Sequence, residues 1–223
     1  MTPKTSPETA ASTTSDTLAS YVTDYRMENG RRYHAYQEGS YWGPNDEQSC
    51  EGESLSHTLY TLTLGGELHL APIKAPSEIL DVGTGTGTWA IQMADKFPEA
   101  QVTGTDLSPI QPDLVPCNCK TFNTWKESKA LLEKAGFVDV VEKRFKWPMN
   151  GWPNDPALKQ LGELNQLRLT EHVQGYTLRL LTGAGEWPLP RAHVFLAEMR
   201  NALKDTNCHA YQDVSVVYGR KPS

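Results

Sequence analysis

At 223 residues the chain is long enough to bury a full hydrophobic core, and 38% hydrophobic with 22% charged residues is the composition of an ordinary globular domain. A formal charge of −6 leaves no basic excess for gripping a phosphate backbone, so nucleic acid is not expected as a partner. No apolar run reaches the length of a membrane span, and Cys50, Cys117, Cys119 and Cys208 form neither a disulfide framework nor a CxxC pair, which points to a reducing compartment and away from a zinc site.

Met1 to Ser20 hold ten Ser or Thr, one Lys and no apolar stretch. That fits neither a secretion signal nor an Arg-rich transit sequence, and predicts a disordered tail over 1–20 ahead of a single domain over 21–223, in the cytoplasm with the nucleus left open. Tyr21 to Asp46 is rich in aromatic and turn residues without a period of 2 or 3.6, which reads as an ordered lid or a lead-in. Leu55, Leu59, Leu62 and the stretch Glu67 to Leu70 predict a helix of about four turns ending near Pro72. Ser77 to Val82 reads as a buried parallel strand, Thr88 to Phe97 as a helix packed on it, and Gln101 to Asp106 as a second strand. Together they make one strand, helix, strand crossover unit.

Residues 107–123 then carry three prolines and no apolar run long enough for a strand. A capping signature from Thr124 to Glu127 opens a predicted helix that ends at Gly136. Phe137 to Trp147 follows as a strand. Asp155-Pro156 starts a helix in which Leu158, Leu161, Leu164 and Leu167 recur every three residues toward Leu180, punctuated by Gly175 and Gly183. Pro190 to Asp205 predicts a last helix and Tyr211 to Tyr218 a last strand.

The chemistry is concentrated where the first parallel strand meets its helix, at Asp81-Val-Gly83-Thr84-Gly85-Thr-Gly87. A dinucleotide loop of the G-x-G-x-x-G kind needs a third glycine where Thr88 stands, which disfavours NAD. Asp81 inside the strand and Asp106 at the end of the next one suit a different adenosyl ligand, with Asp106 placed to hold a ribose diol.

The run D-V-G-T-G-T-G-T-W-A-I followed by V-T-G-T-D-L-S-P resembles motif I and the following acidic motif of class I S-adenosylmethionine methyltransferases, and more narrowly the fungal LaeA-like group. The likeness extends over roughly residues 25–222, through Arg32-Tyr33-His34, Tyr36, Glu38-Gly39, Tyr41, Pro44-Asn45-Asp46, Gly151-Trp152-Pro153 and Val217 to Pro222. It implies S-adenosylmethionine as cofactor, held by Asp81, Gly83, Thr84, Gly85, Gly87, Asp106 and Leu107. Glycine lets the backbone approach the ligand, and a carboxylate accepts two hydroxyl hydrogen bonds. The aromatic residues Tyr33, Tyr36, Tyr41 and Trp42 are implied as a lid over the cationic sulfur. The implied role is methyl transfer to a small-molecule acceptor in fungal secondary metabolism.

The departure from that pattern is a short middle. The family's sheet has seven strands in the order 3-2-1-4-5-7-6, and three strands with their crossovers take on the order of 75 to 90 residues at about 30 per unit. The expectation is therefore a truncated Rossmann-like, three-layer α/β fold lacking strands 3 to 5, with an extra N-terminal helix and a C-terminal helical insert. Three explanations stand side by side: an enzyme with a reduced pocket, a non-catalytic accessory or regulatory protein with a degenerate site, and a wrongly removed exon. Open strand edges beside the gap imply a homo-oligomer or a pathway-enzyme partner. The six histidines include no H-x-x-x-H or H-E-x-x-H pair, so no metal is expected. His34 reads first as a packed residue and second as a general base. The Trp-Pro pairs at Trp147, Trp152 and Trp187 read first as loop anchors and second as walls of an acceptor pocket. The leucine stripe reads as core or as a dimer face.

Overall fold

The computed structural model describes residues 25–34, 41–106, 108, 110–112, 116, 118–122 and 136–221. The expected tail over 1–20, Tyr36, Cys117, Leu107 and the helix expected from Thr124 lie outside these. The described chain begins with a hairpin, β1 (Arg26–Glu28) and β2 (Arg31–Tyr33), paired antiparallel with Glu28 opposite Arg31. Its turn is Asn29-Gly30, both at positive φ (51° and 78°), the pair that lets a two-residue turn follow the twist of the strands. This hairpin signal sits inside a stretch whose hydrophobic pattern shows no period.

Helix α1 (Glu47–Thr63) starts at Asp46, whose side chain accepts from the Ser49 amide. The same carboxylate receives Arg31 Nε at 2.6 Å and Nη2 at 2.7 Å, which ties β2 to the head of the helix. The helix stops at Thr63, well short of Pro72, because the chain turns at Gly65-Gly66, where the Gly66 amide reaches back to the Thr61 carbonyl.

The crossover unit forms as the sequence predicts: β3 (Glu78–Val82), α2 (Thr88–Lys96) and β4 (Gln101–Thr105), with the strands parallel and Ile79 opposite Val102. A third parallel strand, β5 (Cys119–Phe122), pairs with β4 and completes the order β3-β4-β5. The expectation that 107–123 holds no strand is corrected here. This strand has no hydrophobic run to announce it. It is fixed by Asn118, whose side-chain amide donates to the carbonyls of Ala94, Phe97 and Ala100, and by Cys119, which is buried with Ala90, Ala94 and Val102. In the family's numbering β5, β4 and β3 stand where strands 3, 2 and 1 stand, so the shortfall is confined to the far side of β3.

On that side no described residue pairs with β3. Leu80 and Val82 are 64% and 55% exposed, while Ile79 on the opposite face packs on the core. The strand expected to be buried on both faces is covered on one.

The remaining chain forms a second layer: β6 (Val138–Pro148), α3 (Pro156–Arg179), a π-helical turn (Leu180–Ala184), α4 (Leu189–Lys204) and β7 (Tyr211–Arg220). β6 and β7 pair antiparallel, with Phe145 opposite Val214. Asp155 caps α3 by accepting from the Leu158 amide, and Pro156 occupies its first turn, where no amide is needed. Trp147, Leu161 and Val214 enclose Leu59 of α1, and a separate cluster of Val173, Leu178, Ala192 and Leu196 joins α3 to α4. The leucine stripe divides: Leu161 and Leu164 pack into the core, whereas Leu158 and Leu167 are exposed, because a spacing of three drifts around a helix of 3.6 residues per turn. Trp147, Trp152 and Trp187 all act as anchors. Their ring contacts are Trp147 Nε1 to Thr63 Oγ1, Trp152 Nε1 to the Ala210 carbonyl, and the Trp187 ring edge-on to Phe195.

Candidate functional site

A cleft of about 670 Å³ opens at the carboxyl ends of β3 and β4, where ligands bind in open parallel sheets. Its floor is the loop from Val82 to Thr86 with Asp106, and one wall is the face of α1 that carries Glu53, Ser56, His57 and Tyr60 and continues to Leu64 just past its end. Those five residues fall at helical spacing, i, i+3, i+4, i+7 and i+11.

Gly83, Gly85 and Gly87 all take positive φ (78°, 55° and 80°), so the alternating glycines are a backbone requirement of this turn. The five amides of the loop are all bonded within the protein. Gly83 and Thr84 donate to the Thr105 carbonyl, Gly85 to Asp106 Oδ2 at 2.8 Å, Thr86 to Glu53 Oε2 at 3.1 Å, and Gly87 to the Thr84 carbonyl. A phosphate-binding loop aims such amides at its ligand. This one keeps them, and presents acceptors instead.

Three carboxylates, Glu53, Asp81 and Asp106, line the cleft, with no Lys or Arg among the described lining residues. Burial pushes the Glu53 carboxyl above the ordinary glutamate range and Asp106 adds to the rise. Asp81 is raised by burial and by Asp106, against the lowering effect of the Thr84 hydroxyl, which donates to it at 2.7 Å. Burial also raises the Tyr41 hydroxyl, helped by Glu53 and Asp106. A site in which anionic groups crowd one another out of water attracts a cation.

Asp81, Gly83, Thr84, Gly85, Asp106 and Tyr41 are thus brought together around one cleft, and Gly87 shapes its turn as the residue before α2. Tyr33 is not: its ring is buried, with the Arg179 guanidinium 4.6 Å from its centre. Trp42 lines a smaller neighbouring cavity, and His34 is buried with its ring 5.8 Å from Tyr41. Sequence reasoning missed Glu53, His57 and Tyr60, although their spacing on α1 marks one face. It also missed Gln111, whose side chain donates to the Gly85 carbonyl at 2.6 Å, and Asn45, which donates to Ser108 Oγ at 3.2 Å. No group of metal-binding side chains occurs among the described residues, and no described helix is long and apolar enough to cross a membrane.

The comparisons agree with this geometry. The chain is 29% identical to the secondary metabolism regulator LAE1 of Cochliobolus heterostrophus, over 88% of this chain and 94% of that protein. It is 28% identical to the methyltransferase pytC of Aspergillus terreus, over 92% and 90%. It is 23% identical to the protein-methionine methyltransferase laeA of Emericella nidulans, over 89% and 77%. The first two alignments run to 293 positions, more than the 223 residues of this chain, so these relatives carry internal segments without a counterpart here. The family model of the methyltransferase domain matches residues 59–198, which span the glycine loop, the parallel strands and most of the second layer, and the chain belongs to that methyltransferase family.

Proposed function

We propose that the cleft binds S-adenosylmethionine and that the chain transfers its methyl group to a small-molecule acceptor in fungal secondary metabolism. The observation that carries this reading is the pairing of an amide-saturated glycine loop with three lining carboxylates and no lining Lys or Arg among the described residues: it suits a cationic adenosyl ligand and refuses a diphosphate. Bound there, S-adenosylmethionine supplies a methyl on a positive sulfur, and the sulfur keeps the bonding electron pair as a neutral thioether when an acceptor lone pair takes the methyl. Asp106 is held in place by the Gly85 and Ser108 amides and retains lone pairs for the ribose hydroxyls. Glu53 would balance the ligand's positive charge, and Tyr41, Tyr60 and Trp89, which line the same cleft, would be the aromatic partners available to the sulfonium. The protein's contribution to rate is to hold donor and acceptor in line.

A second reading, a non-catalytic regulator, is favoured by the bare outer edge and exposed Leu80 and Val82 of β3, and by relatives named as regulators of secondary metabolism. Thermal-shift ranking of ligands tests the cofactor site on which the first reading depends. S-adenosylmethionine raising Tm more than S-adenosylhomocysteine, with NAD inert, supports the cofactor site; equal or absent shifts for all three contradict it.

A further inference from the structure

Beside the cofactor cleft lies a second cavity of about 220 Å³, sharing Tyr41, Pro44, Glu53 and Ser56 as a common wall. Its lining differs in charge. Of the three carboxylates of the first cleft only Glu53, in the shared wall, reaches it, and it adds Arg31, Arg168 and His172, each more than nine-tenths buried.

The two guanidiniums lack different things: Arg31 a partner for one nitrogen, Arg168 a counter-charge. Arg31 gives Nε and Nη2 to Asp46 and Ser49, but its buried Nη1 has no hydrogen-bond partner among the described residues, and neither has buried His172 Nδ1. Arg168 bonds only neutral acceptors: Asn165 Oδ1, Gln212 Oε1 at 3.1 Å and Tyr176 Oη at 3.2 Å. Among the described residues no carboxylate forms an ion pair with it. A buried cation without a counter-charge is costly unless a ligand provides one.

Resting on the cofactor reading above, we propose that this cavity is the acceptor site and that the methyl acceptor is a small organic anion, its carboxylate held by Arg31 Nη1 and Arg168. The volume agrees with a single substituted ring, since a cavity of about 150 Å³ accommodates benzene. Glu53 and Tyr41, in the shared wall, stand between the acceptor and the cofactor. The division of charge sorts the two ligands: the cation is drawn to the cleft with three carboxylates, and the anion to the side of the second cavity away from Glu53, where Arg31 Nη1 and Arg168 lie.

The test uses the full chain, with benzoate as probe and benzamide as its neutral counterpart, followed by ligand-observed NMR titration, with S-adenosylmethionine binding measured on the same samples. Benzoate is expected to bind at least about tenfold more tightly than benzamide, because only the anion meets the unpaired guanidinium. Arg168→Met, which keeps the stem of the side chain, is expected to weaken benzoate at least about tenfold. Gly175→Ala is a second variant that leaves all charges in place: a Cβ there comes to 3.1 Å from Arg31 Nη1 and 3.3 Å from Pro44 Cγ, displacing the free donor, and benzoate affinity falls. Both variants are expected to bind S-adenosylmethionine as the wild type does. Equal affinity for benzoate and benzamide, or unchanged benzoate affinity in both variants, overturns the anion site. S-adenosylmethionine binding without benzoate binding overturns the acceptor assignment and leaves the cofactor reading intact. Benzoate binding without S-adenosylmethionine binding overturns the acceptor role through the failure of the cofactor reading, with the anion site itself still present.

Discussion

Glu53 accepts the Thr86 amide across 33 residues of sequence and meets the glycine loop so closely that a Cβ on Gly85 would collide with its carboxylate. Burial and Asp106 hold its folded pKa above the unfolded value, so the folded protein binds the proton more tightly than the unfolded chain. The stability cost is therefore absent below the ordinary glutamate range and grows as pH rises through the raised value. Glu53→Gln, which keeps an acceptor for Thr86, is expected to raise Tm relative to wild type at neutral pH, with the gain disappearing in acid. Melting curves across pH check it, and a gain independent of pH contradicts it. The same variant is expected to weaken S-adenosylmethionine about tenfold while sparing the uncharged-sulfur product, since only the former presents a cation. At this scale the sequence was informative where geometry is demanded of a residue type. The alternating glycines and the two aspartates are readable because no other residues serve that turn, whereas Glu53 is one acid among many on a polar helix and becomes visible only when α1 is folded against the loop.

Among the elements, two helix caps of the same type differ in what they hold. Asp46 caps α1 and also pairs bidentately with Arg31, whose side chain is 5% exposed, whereas the Asp155 side chain caps α3 through the Leu158 amide. Asp155→Ala is expected to cost about 1 kcal/mol. Asp46→Ala leaves a buried guanidinium unpaired and is expected to cost about 3–5 kcal/mol. Denaturant unfolding of both variants checks the pair, and equal losses contradict it. Gly85→Ala, at φ 55°, adds about 1–2 kcal/mol of backbone cost and drives Glu53 away, so it is expected to impair cofactor binding as well as stability. Helices α2, α3 and α4 and strands β3, β4, β6 and β7 were legible from the sequence pattern to within a few residues, while the helix expected from Thr124 lies outside the described residues. The departures have physical causes. The end of α1 is set by a glycine pair rather than by Pro72, the β1–β2 turn by Asn29-Gly30, and β5 by the hydrogen bonds of a single asparagine. None of these leaves a hydrophobic pattern.

In the whole molecule, small separate cores take the place of one continuous core, and the parallel sheet is open beyond β3 among the described residues. Leu196, fully buried between α4 and α3, is expected to cost about 2–5 kcal/mol when replaced by Ala, while Leu80→Ser, at 64% exposure, is expected to stay within about 0.5 kcal/mol. An exposed apolar strand with an unpaired edge also predicts self-association that Leu80→Ser weakens. Sedimentation over a range of concentrations checks this, and a wild-type monomer at every concentration contradicts it. The truncation was legible from chain length, because parallel strands need a fixed length of crossover. Its extent was not, since β5 is placed by polar anchoring.

The central claim, that the shortened fold keeps a working cofactor cleft, is tested most directly by calorimetric titration of the full chain with S-adenosylmethionine, in wild type and in Asp106→Ala. Micromolar binding, about −8 kcal/mol, that is lost in the variant while its fold persists is the predicted result. No heat from folded wild-type protein, or binding that survives the loss of Asp106 unchanged, would contradict the assignment.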